Sequence, residues 1–478
     1  MLLTVISLVI CAYFWPYTTD QLYAFISCVS VVLLCLAVLK KRMSITNVHA
    51  LFITLFLIYQ VVNPLLYVTY RAWVYKIDVF VGNWNLFTEG NLYSAVGMVG
   101  YICGIWASQL LPSVRWKRER MTPRRSINLM RLFFCSAMLG WLVLFIYAGY
   151  PTEIFTGGAP EGRYRGVFYG LYGHGYIMNL LFGANIALLF MVVARPDRSI
   201  FSPKILIFLY TSIVLISLDG SRLLFIMLPI SVFVMKQLLV KQRSTIPLFR
   251  QSLWKQNVKY LAIIICLFGA SVLYGQSRSL SQGGGLWERS KLVWDETLES
   301  QSKTWFYLAN SFDTSITYFL VISQIPEQAD FWMGRSLTAP LLNRIPTMVI
   351  PEKDEMLWGA QKFTKQFYGY DQHDANTVSR GPSMTAEAYM NFGALGVIAI
   401  LFLFGVGNEI MVKNSHAKES LHLFKVFYVV YMLYFIPYVF KSGFSAALSY
   451  IDVKLIYMAG ILFIDRVMHL ATRRNDRG

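Results

Sequence analysis

The chain has 478 residues, of which 56% are hydrophobic and only 14% charged, and its formal net charge is +17 at pH 7. Soluble globular proteins have about a quarter of their residues charged, so this composition excludes a water-soluble globule. It indicates a membrane protein, because apolar runs of roughly 20 residues, each long enough to cross about 30 Å of hydrocarbon, recur along the sequence.

Hydropathy predicts an all-α polytopic membrane protein with about twelve transmembrane helices. The first run, MLLTVISLVICAYFW, has neither a charged start nor a small-residue cleavage site, so we interpret it as a short span rather than a removed signal peptide. The predicted spans lie near residues 1–15, 21–39, 49–68, 91–111, 127–147, 175–194, 204–218, 222–240, 259–275, 392–411, 421–440 and 449–468.

The basic clusters indicate the orientation. All of them fall on one side of the twelve-span arrangement, and by the positive-inside rule that side is the cytoplasm, with both termini there. Because these Lys and Arg residues lie in short loops beside spans, membrane topology and anionic lipids explain the net charge, and nucleic-acid binding is not expected. The clusters occupy residues 40–42, 115–125, 195–204, 241–259 and 473–477.

The predicted spans contain few chemically reactive groups. All six cysteines lie inside them without metal-type spacing, so we interpret them as small core residues and expect no disulfide. Most charged residues sit at predicted span ends, whereas ion-coupled transporters place ionisable groups near the membrane midplane. The charge distribution therefore favours chemistry at the outer face over transport through the bundle.

A large extracytoplasmic loop separates the ninth and tenth predicted spans, far longer than an ordinary connection. In residues 286–322 its apolar spacing predicts one or two amphipathic helices on the membrane surface. Pro340, Pro346 and Pro351 are then predicted to break the helical pattern. The chain is accordingly divided into spans one to nine, the loop, and spans ten to twelve with a short tail, at residues 1–275, 276–391 and 392–478.

A polar break separates two apolar runs at Asp219, Gly220, Ser221 and Arg222. Its simplest interpretation is a tight outer turn in which Ser221 caps the next helix and Asp219 pairs with Arg222. An arginine at a helix N-terminus is electrostatically misplaced, however, because that end already carries partial positive charge. A bound anion would remove the conflict.

Further arginines are predicted on the same outer side. Each alone is explained by a surface or headgroup contact, but arginine suits bidentate phosphate recognition better than lysine does. Several adjoin Gly or Ser, where the backbone can approach a ligand, so we expect some of them to converge on a pyrophosphate. They are Arg163, Arg165, Arg278, Arg335, Arg344 and Arg380.

His373 lies between Asp371 and Asp374 in the polar stretch DQHDANTVSRGPSM. A solvated loop histidine is the simplest interpretation, but a neighbouring carboxylate can also fix the tautomer of an imidazole and favour its protonation. The same three residues have a weak metal-site pattern. Because the first outer loops contain no D-x-D motif, we expect neither a metal nor a cofactor.

Three segments in this order resemble the Wzy-type O-antigen and oligosaccharide repeat-unit polymerases. They are GSR at a break between two spans, LLNRIPTMVIPEKD in the large loop, and SMTAEAYMNFGALGVIAI at the tenth span. In that family a periplasmic loop carries an I-P-x-x-x-x-P-x-K-like segment, and an N-F-G-x-x-G pattern opens the following span. The rest of the chain resembles the family only in its span pattern.

The resemblance implies a GT-C-like, metal-independent glycosyltransferase of the bacterial inner membrane. It would join undecaprenyl-pyrophosphate-linked repeat units at the outer leaflet during surface polysaccharide or O-antigen synthesis. Its implied partners are the lipid-linked glycans, membrane lipids, a chain-length regulator and a flippase. An O-antigen ligase uses the same donor chemistry and is the nearest alternative, and a polyprenyl-linked glycan flippase or exporter is another.

That reaction assigns roles to the candidate residues. Breaking the anomeric bond leaves charge on a pyrophosphate, which prepositioned arginines can stabilise without a metal. The attacking sugar hydroxyl needs a base, for which His373 or Asp374 is the first candidate and Glu387 the second. The arginines proposed for the pyrophosphate and acceptor are Arg163, Arg165, Arg222, Arg278, Arg335, Arg344 and Arg380.

Overall fold

The structure is a computed structural model, and every regular element in its described residues is helical. It describes residues 18–40, 46–70, 83–111, 122–147, 175–196, 202–217, 222–243, 313–342, 360–369, 381–416 and 422–475, with isolated positions 42, 44, 291, 294, 295, 345, 349 and 350.

The α-helices of these residues are numbered in chain order. They are α1 (Thr19–Leu39), α2 (Val48–Leu57), α3 (Asn63–Tyr70), α4 (Trp84–Leu110), α5 (Pro123–Tyr147), α6 (Gly175–Ala194), α7 (Pro203–Ser217), α8 (Arg222–Arg243), α9 (Thr317–Gln324), α10 (Arg335–Leu342), α11 (Ala360–Tyr368), α12 (Met384–His416), α13 (His422–Val430) and α14 (Ile436–Asn475). The π-helical turns Ile58–Val62 and Tyr431–Phe435 join α2 to α3 and α13 to α14.

Polar residues before the apolar runs determine where several helices begin. Thr18 forms a capping box with Gln21 at the start of α1, since each side chain accepts a hydrogen bond from the other residue's backbone N–H. Asn47 caps α2, and Asn83 caps α4 by accepting the N–H of Leu86 at 3.0 Å. The local sequence therefore specifies where these helices begin.

Five helical segments among the described residues are long and apolar enough to cross a membrane. Large apolar side chains such as Ile207 and Leu403 remain exposed, as expected where helices face lipid. The protein is therefore an α-helical membrane protein. The five segments are Thr19–Leu39, Val48–Leu66, Pro123–Val143, Met384–Ser415 and Leu423–Met468.

Other predicted spans correspond to helices outside that set. The helices α4, α6, α7 and α8 cover the spans predicted near residues 91–111, 175–194, 204–218 and 222–240. The spans predicted at 1–15 and 259–275 lie outside the described residues. The full count of twelve and the resemblance to the GT-C class consequently remain proposals.

The structure differs from two predictions for the large loop. The helix α9 lies at the end of the predicted surface-helix region, yet Tyr318, Phe319 and Val321 are fully buried because α9 packs against α4. Pro340 lies inside α10 rather than ending a helical pattern before it. Pro340 is the sixth residue of this helix, which ends at Leu342, so its missing N–H affects only the last turn. Pro346 and Pro351 lie outside the described residues.

The helices divide into two compact units. Unit 1 is formed from residues within Met1–Arg115, Gln301–Asn414 and Phe435–Tyr450. In it α1 packs along α4, while Phe52 of α2 stacks on Tyr101 of α4 with ring centroids 4.7 Å apart.

Glycines bring α4 and α12 of unit 1 into backbone contact. A Cβ on Gly100 would lie 2.8 Å from the carbonyl oxygen of Ile398, and one on Gly104 would collide with that of Phe402. The spacing of these two glycines is the G-x-x-x-G pattern of closely packed membrane helices. The pair α4 and α12 is therefore the tightest helix contact that the glycines identify in this unit.

Unit 2 is formed from residues within Trp116–Ser300, Ser415–Tyr434 and Ile451–Gly478. Its centre is α6, which packs against α5, α7, α8 and α13. Phe133 of α5 stacks on Phe190 of α6 at 5.7 Å, and Arg125 Nε lies 2.9 Å from Asp465 Oδ2 of α14.

Buried ionisable groups are more frequent in the helices than the sequence predicted. In unit 1, Glu409 Oε2 lies 2.9 Å from Nε2 of the fully buried His49 and 3.3 Å from Arg42 Nη2. In unit 2, Lys425 is 1% exposed and Lys454 is 5% exposed. Glu409 was assigned to the end of the span predicted at 392–411, but α12 continues to His416, so Glu409 lies within the helix.

Candidate functional site

The first turns of α12 form a segment of their own. Ser383, which precedes them, donates its backbone N–H to Thr317 Oγ1 at 2.9 Å. The helix is then broken at Phe392, with φ −143° and ψ 20°, and at Gly393, with φ 61° and ψ −149°. Residues 384–391 are therefore held in place separately from the long span that follows.

The loop before α10 satisfies the backbone groups that this break leaves open. Trp332 N–H donates to the carbonyl of Met390 at 2.9 Å, and Met333 N–H donates to that of Asn391 at 3.2 Å. The Asn391 side chain extends the contact, since its Oδ1 accepts the N–H of Gly334 at 2.9 Å. The start of α10 is thus docked on the break in α12.

Glu387 lies at the centre of this contact and is only 1% exposed. Its Oε1 accepts a hydrogen bond from Ser336 Oγ at 2.7 Å, and both carboxylate oxygens accept from Ser445 N–H, at 3.3 and 3.1 Å. Asn391 Nδ2 donates to Ser336 Oγ and to the carbonyl of Glu387, each at 2.7 Å. We call Glu387, Asn391, Ser336 and Ser445 the polar joint.

The polar joint also reaches a break in α14. Gly443 there has φ 82° and ψ 172°, which is why Ser445 N–H can turn toward the carboxylate. A Cβ on Gly443 would lie 2.5 Å from Glu387 Oε2 and 3.0 Å from the carbonyl oxygen of Pro382. One carboxylate therefore connects the interruptions of two helices.

Three cations gather beside the polar joint, and we call them the cation cluster. Arg335 is exposed and begins α10, while Lys362 and Lys365 belong to α11. Trp332 Nε1 donates to Gln366 Oε1 at 3.1 Å and so ties the start of α10 to α11. Burial lowers the pKa of Lys362, and the positive charges of Arg335 and Lys365 lower it further.

Aromatic rings line the same end of unit 1. The ring centroid of Tyr389 lies 5.3 Å from that of Tyr93 and 6.3 Å from those of Phe331 and Tyr318. Tyr93 donates its hydroxyl to Glu89 Oε1 at 2.9 Å. Tyr318 and Tyr389 are buried, whereas Tyr93 and Phe331 are partly exposed and present aromatic surface at this end.

The structure brings two of the candidate residues together. Arg335 and Glu387 are linked through Ser336, the residue that follows Arg335 in the chain. Arg222 is the first residue of α8, as its predicted place at a helix N-terminus requires, but its side chain is not described. The other candidates lie outside the described residues: His373, Asp374, Arg163, Arg165, Arg278, Arg344 and Arg380.

Sequence reasoning missed Lys362, Lys365 and the roles of Ser336 and Asn391. A usable signal was present for the lysines, because the spacing in AQKFTKQFY places Phe363 and Phe367 on one helical face. No local signal marked Ser336, since its partners lie more than fifty residues away, with sequence separations of 51 and 55.

Within the described ranges, no group of three or more His, Cys, Asp or Glu side chains is placed to hold a metal ion.

Comparison of the chain with family models, with curated proteins and with solved structures found no match. The function is therefore inferred from the polar joint, the cation cluster and the segments that resemble the polymerases.

Proposed function

We propose that the protein is a membrane-embedded glycosyltransferase that joins undecaprenyl-pyrophosphate-linked oligosaccharide units. The growing glycan would leave its lipid pyrophosphate and join the sugar hydroxyl of an incoming unit. The proposed setting is the outer face of a bacterial inner membrane, with a twelve-span, GT-C-like fold and both termini in the cytoplasm. The proposed partners are the lipid-linked glycans, surrounding lipids, a chain-length regulator and a flippase.

The observation that supports this proposal is the cation cluster. The leaving pyrophosphate is negatively charged. Cations that are already in position can stabilise this charge without a metal. Arg335 can offer it two parallel N–H donors, and the two lysines add point charges. A bound anion would also offset the repulsion that Arg335 and Lys365 exert on the ammonium of Lys362.

The remaining roles are proposed from the same chemistry. Tyr93 and Phe331, around Tyr389, offer ring faces for the sugars that flank the pyrophosphate. His373 or Asp374 is proposed as the base that takes the proton of the attacking hydroxyl.

An O-antigen ligase is the nearest alternative, because it would use the same pyrophosphate-binding cations with a different acceptor. A glycan exporter has one observation in its favour, namely the buried Lys425 and Lys454 in unit 2. Buried cations in membrane helices are a common feature of pathways for anionic substrates.

Deletion of the gene distinguishes these functions when the surface polysaccharide is resolved on a gel. A polymerase predicts that the ladder collapses to a single repeat unit on its acceptor. If the protein is a ligase, deletion should remove all acceptor-linked glycan and lipid-linked polymer should accumulate. If it is an exporter, lipid-linked single units should accumulate at the cytoplasmic face of the membrane. Purified protein that extends lipid-linked units in the presence of EDTA would support the metal-independent polymerase directly.

Replacement of Arg335 by lysine tests the cation cluster. Lysine keeps the charge but loses the fork, so one charge-assisted hydrogen bond worth about 1.5–3 kcal/mol disappears and turnover should fall roughly ten- to a hundredfold. The measurement is chain extension by purified protein, normalised to its amount. Arg466→Lys, at an exposed position of α14, is the matched control and should behave like the wild type. Full turnover of Arg335→Lys would remove Arg335 from the pyrophosphate site.

A further inference from the structure

We infer that Glu387 is a positioning residue whose carboxylate, acting through Ser336 and Asn391, holds Arg335 in the geometry that binds an anionic phosphate group. This inference rests on the proposed function only for the identity of the anion. The link between Glu387 and Arg335 rests on hydrogen bonds that are independent of it.

The burial of Glu387 favours this role over direct proton transfer. A general base must come within hydrogen-bond distance of the substrate hydroxyl. Glu387 is 1% exposed, and its oxygens already accept hydrogen bonds from Ser336 Oγ and Ser445 N–H. A substrate hydroxyl would therefore have to compete with these donors at a carboxylate that is almost closed to solvent.

The path from the carboxylate to Arg335 is short and is held by hydrogen bonds along its length. Ser336 Oγ donates to Glu387 Oε1 and accepts from Asn391 Nδ2, so its position is fixed from two sides. On the other side of Arg335, the N–H of Gly334 is held by Asn391 Oδ1 at 2.9 Å. The backbone of Arg335 is thus clamped by both of its chain neighbours, while its side chain remains exposed.

A carboxylate suits this position better than an amide. Ser336 Oγ and Ser445 N–H both donate to it, and a carboxylate accepts at both oxygens. In Glu387→Gln one of the two positions becomes an NH₂ group that faces a donor. We therefore expect Glu387→Gln to lose one of these two hydrogen bonds while keeping the shape of the side chain.

The test compares full-length purified variants by peptide-resolved hydrogen exchange and by calorimetric binding of inorganic pyrophosphate. Ser336→Ala is the principal variant, because it removes the link and leaves Glu387 in place. Ser323→Ala is the matched control, since that hydroxyl bonds only the carbonyl of Leu320 in its own helix.

We expect Ser336→Ala to increase exchange over residues 332–342 and to weaken pyrophosphate binding about tenfold, because small misplacements of a binding group cost affinity. Glu387→Gln should give the same changes, and Ser323→Ala should give neither. In an Arg335→Ala background, Ser336→Ala should have no further effect on binding, because its effect is transmitted through Arg335.

Three results would overturn the inference. Exchange over 332–342 equal to that of the wild type in Ser336→Ala would show that the joint does not hold this segment. A further loss of binding in the Arg335→Ala background would show that Ser336 acts independently of Arg335. Slow chain extension by Glu387→Gln with unchanged exchange and pyrophosphate affinity would assign Glu387 to the base.

Failure of the proposed function has a different signature. If the wild-type protein does not bind pyrophosphate but Ser336→Ala still increases exchange over 332–342, the proposed donor chemistry is wrong. The control of the Arg335 segment by the polar joint is then still supported.

Discussion

Gly443→Ala is expected to abolish the accumulation of folded protein. The φ of 82° at this position costs a residue with a Cβ about 1–2 kcal/mol. The added Cβ would also lie 2.5 Å from Glu387 Oε2 and 3.0 Å from the carbonyl oxygen of Pro382. The carboxylate cannot retreat without breaking its hydrogen bonds to Ser336 and Ser445. Strain and collision therefore act together on the polar joint.

Alanine substitutions at two other glycines distinguish backbone strain from steric collision. Gly369 has φ 65° with nothing within 4 Å of an added Cβ, so Gly369→Ala reports backbone strain alone. Gly460 also has open space but a helical backbone, so Gly460→Ala should be neutral or stabilising by up to about 1 kcal/mol. The measurements are the amount of protein in the membrane and thermal unfolding in detergent. Gly443→Ala that unfolds no earlier than Gly369→Ala would contradict the collision.

Gly104→Leu is expected to separate α4 from α12. The two backbones touch at this glycine, where any Cβ would collide with the carbonyl oxygen of Phe402. The collision is with backbone, so no rotamer change can relieve it, and a leucine would push the helices apart along the contact that Gly100 also makes with Ile398. We expect loss of the folded protein rather than a small decrease in stability.

The matched control enlarges a side chain on the exposed face of the same helix. Val99→Leu adds one carbon at a residue that is 48% exposed, where lipid can accommodate it. Protein level and detergent unfolding temperature are measured for both variants. If Gly104→Leu is as stable as Val99→Leu, the close approach of α4 and α12 is wrong.

The sequence predicted uniform apolar helices accurately. The span expected at 21–39 is α1, and the one expected at 49–68 covers α2, its π-helical turn and most of α3. In both cases a polar cap precedes a predominantly apolar run, so local pattern and final structure agree.

The start of α12 was predicted less well. The span was expected to begin at residue 392, but the helix begins at Met384. Residues 384–391 appear too polar for a span because their polar groups bond to distant partners, as Thr385 does with Gln60 at 2.6 Å. Such bonds join positions 325 residues apart and leave no trace in a local pattern.

The candidate site could be predicted only in part for the same reason. Arg335 was identified by its residue type and its glycine neighbour. Lys362 was not, because its approach to Arg335 depends on the hydrogen bond between Trp332 and Gln366. Glu387 was predicted as the second candidate for the general base. Nothing in its local sequence indicates that its side chain is buried.

Unit 1 is formed from stretches that are far apart in the chain, so its helices are synthesised at different times. A ribosome delivers α1 to α4 first, then α5 to α8 of unit 2, and only afterwards α9 to α12. Until then Gln60 and Asn63 lack Thr385 and Ser315, the partners of their side-chain amides. Uncompensated amides in hydrocarbon are costly, so we expect an insertase or chaperone to shield the early helices. A chain truncated before Met384 never acquires Thr385, and we expect membrane proteases to degrade it.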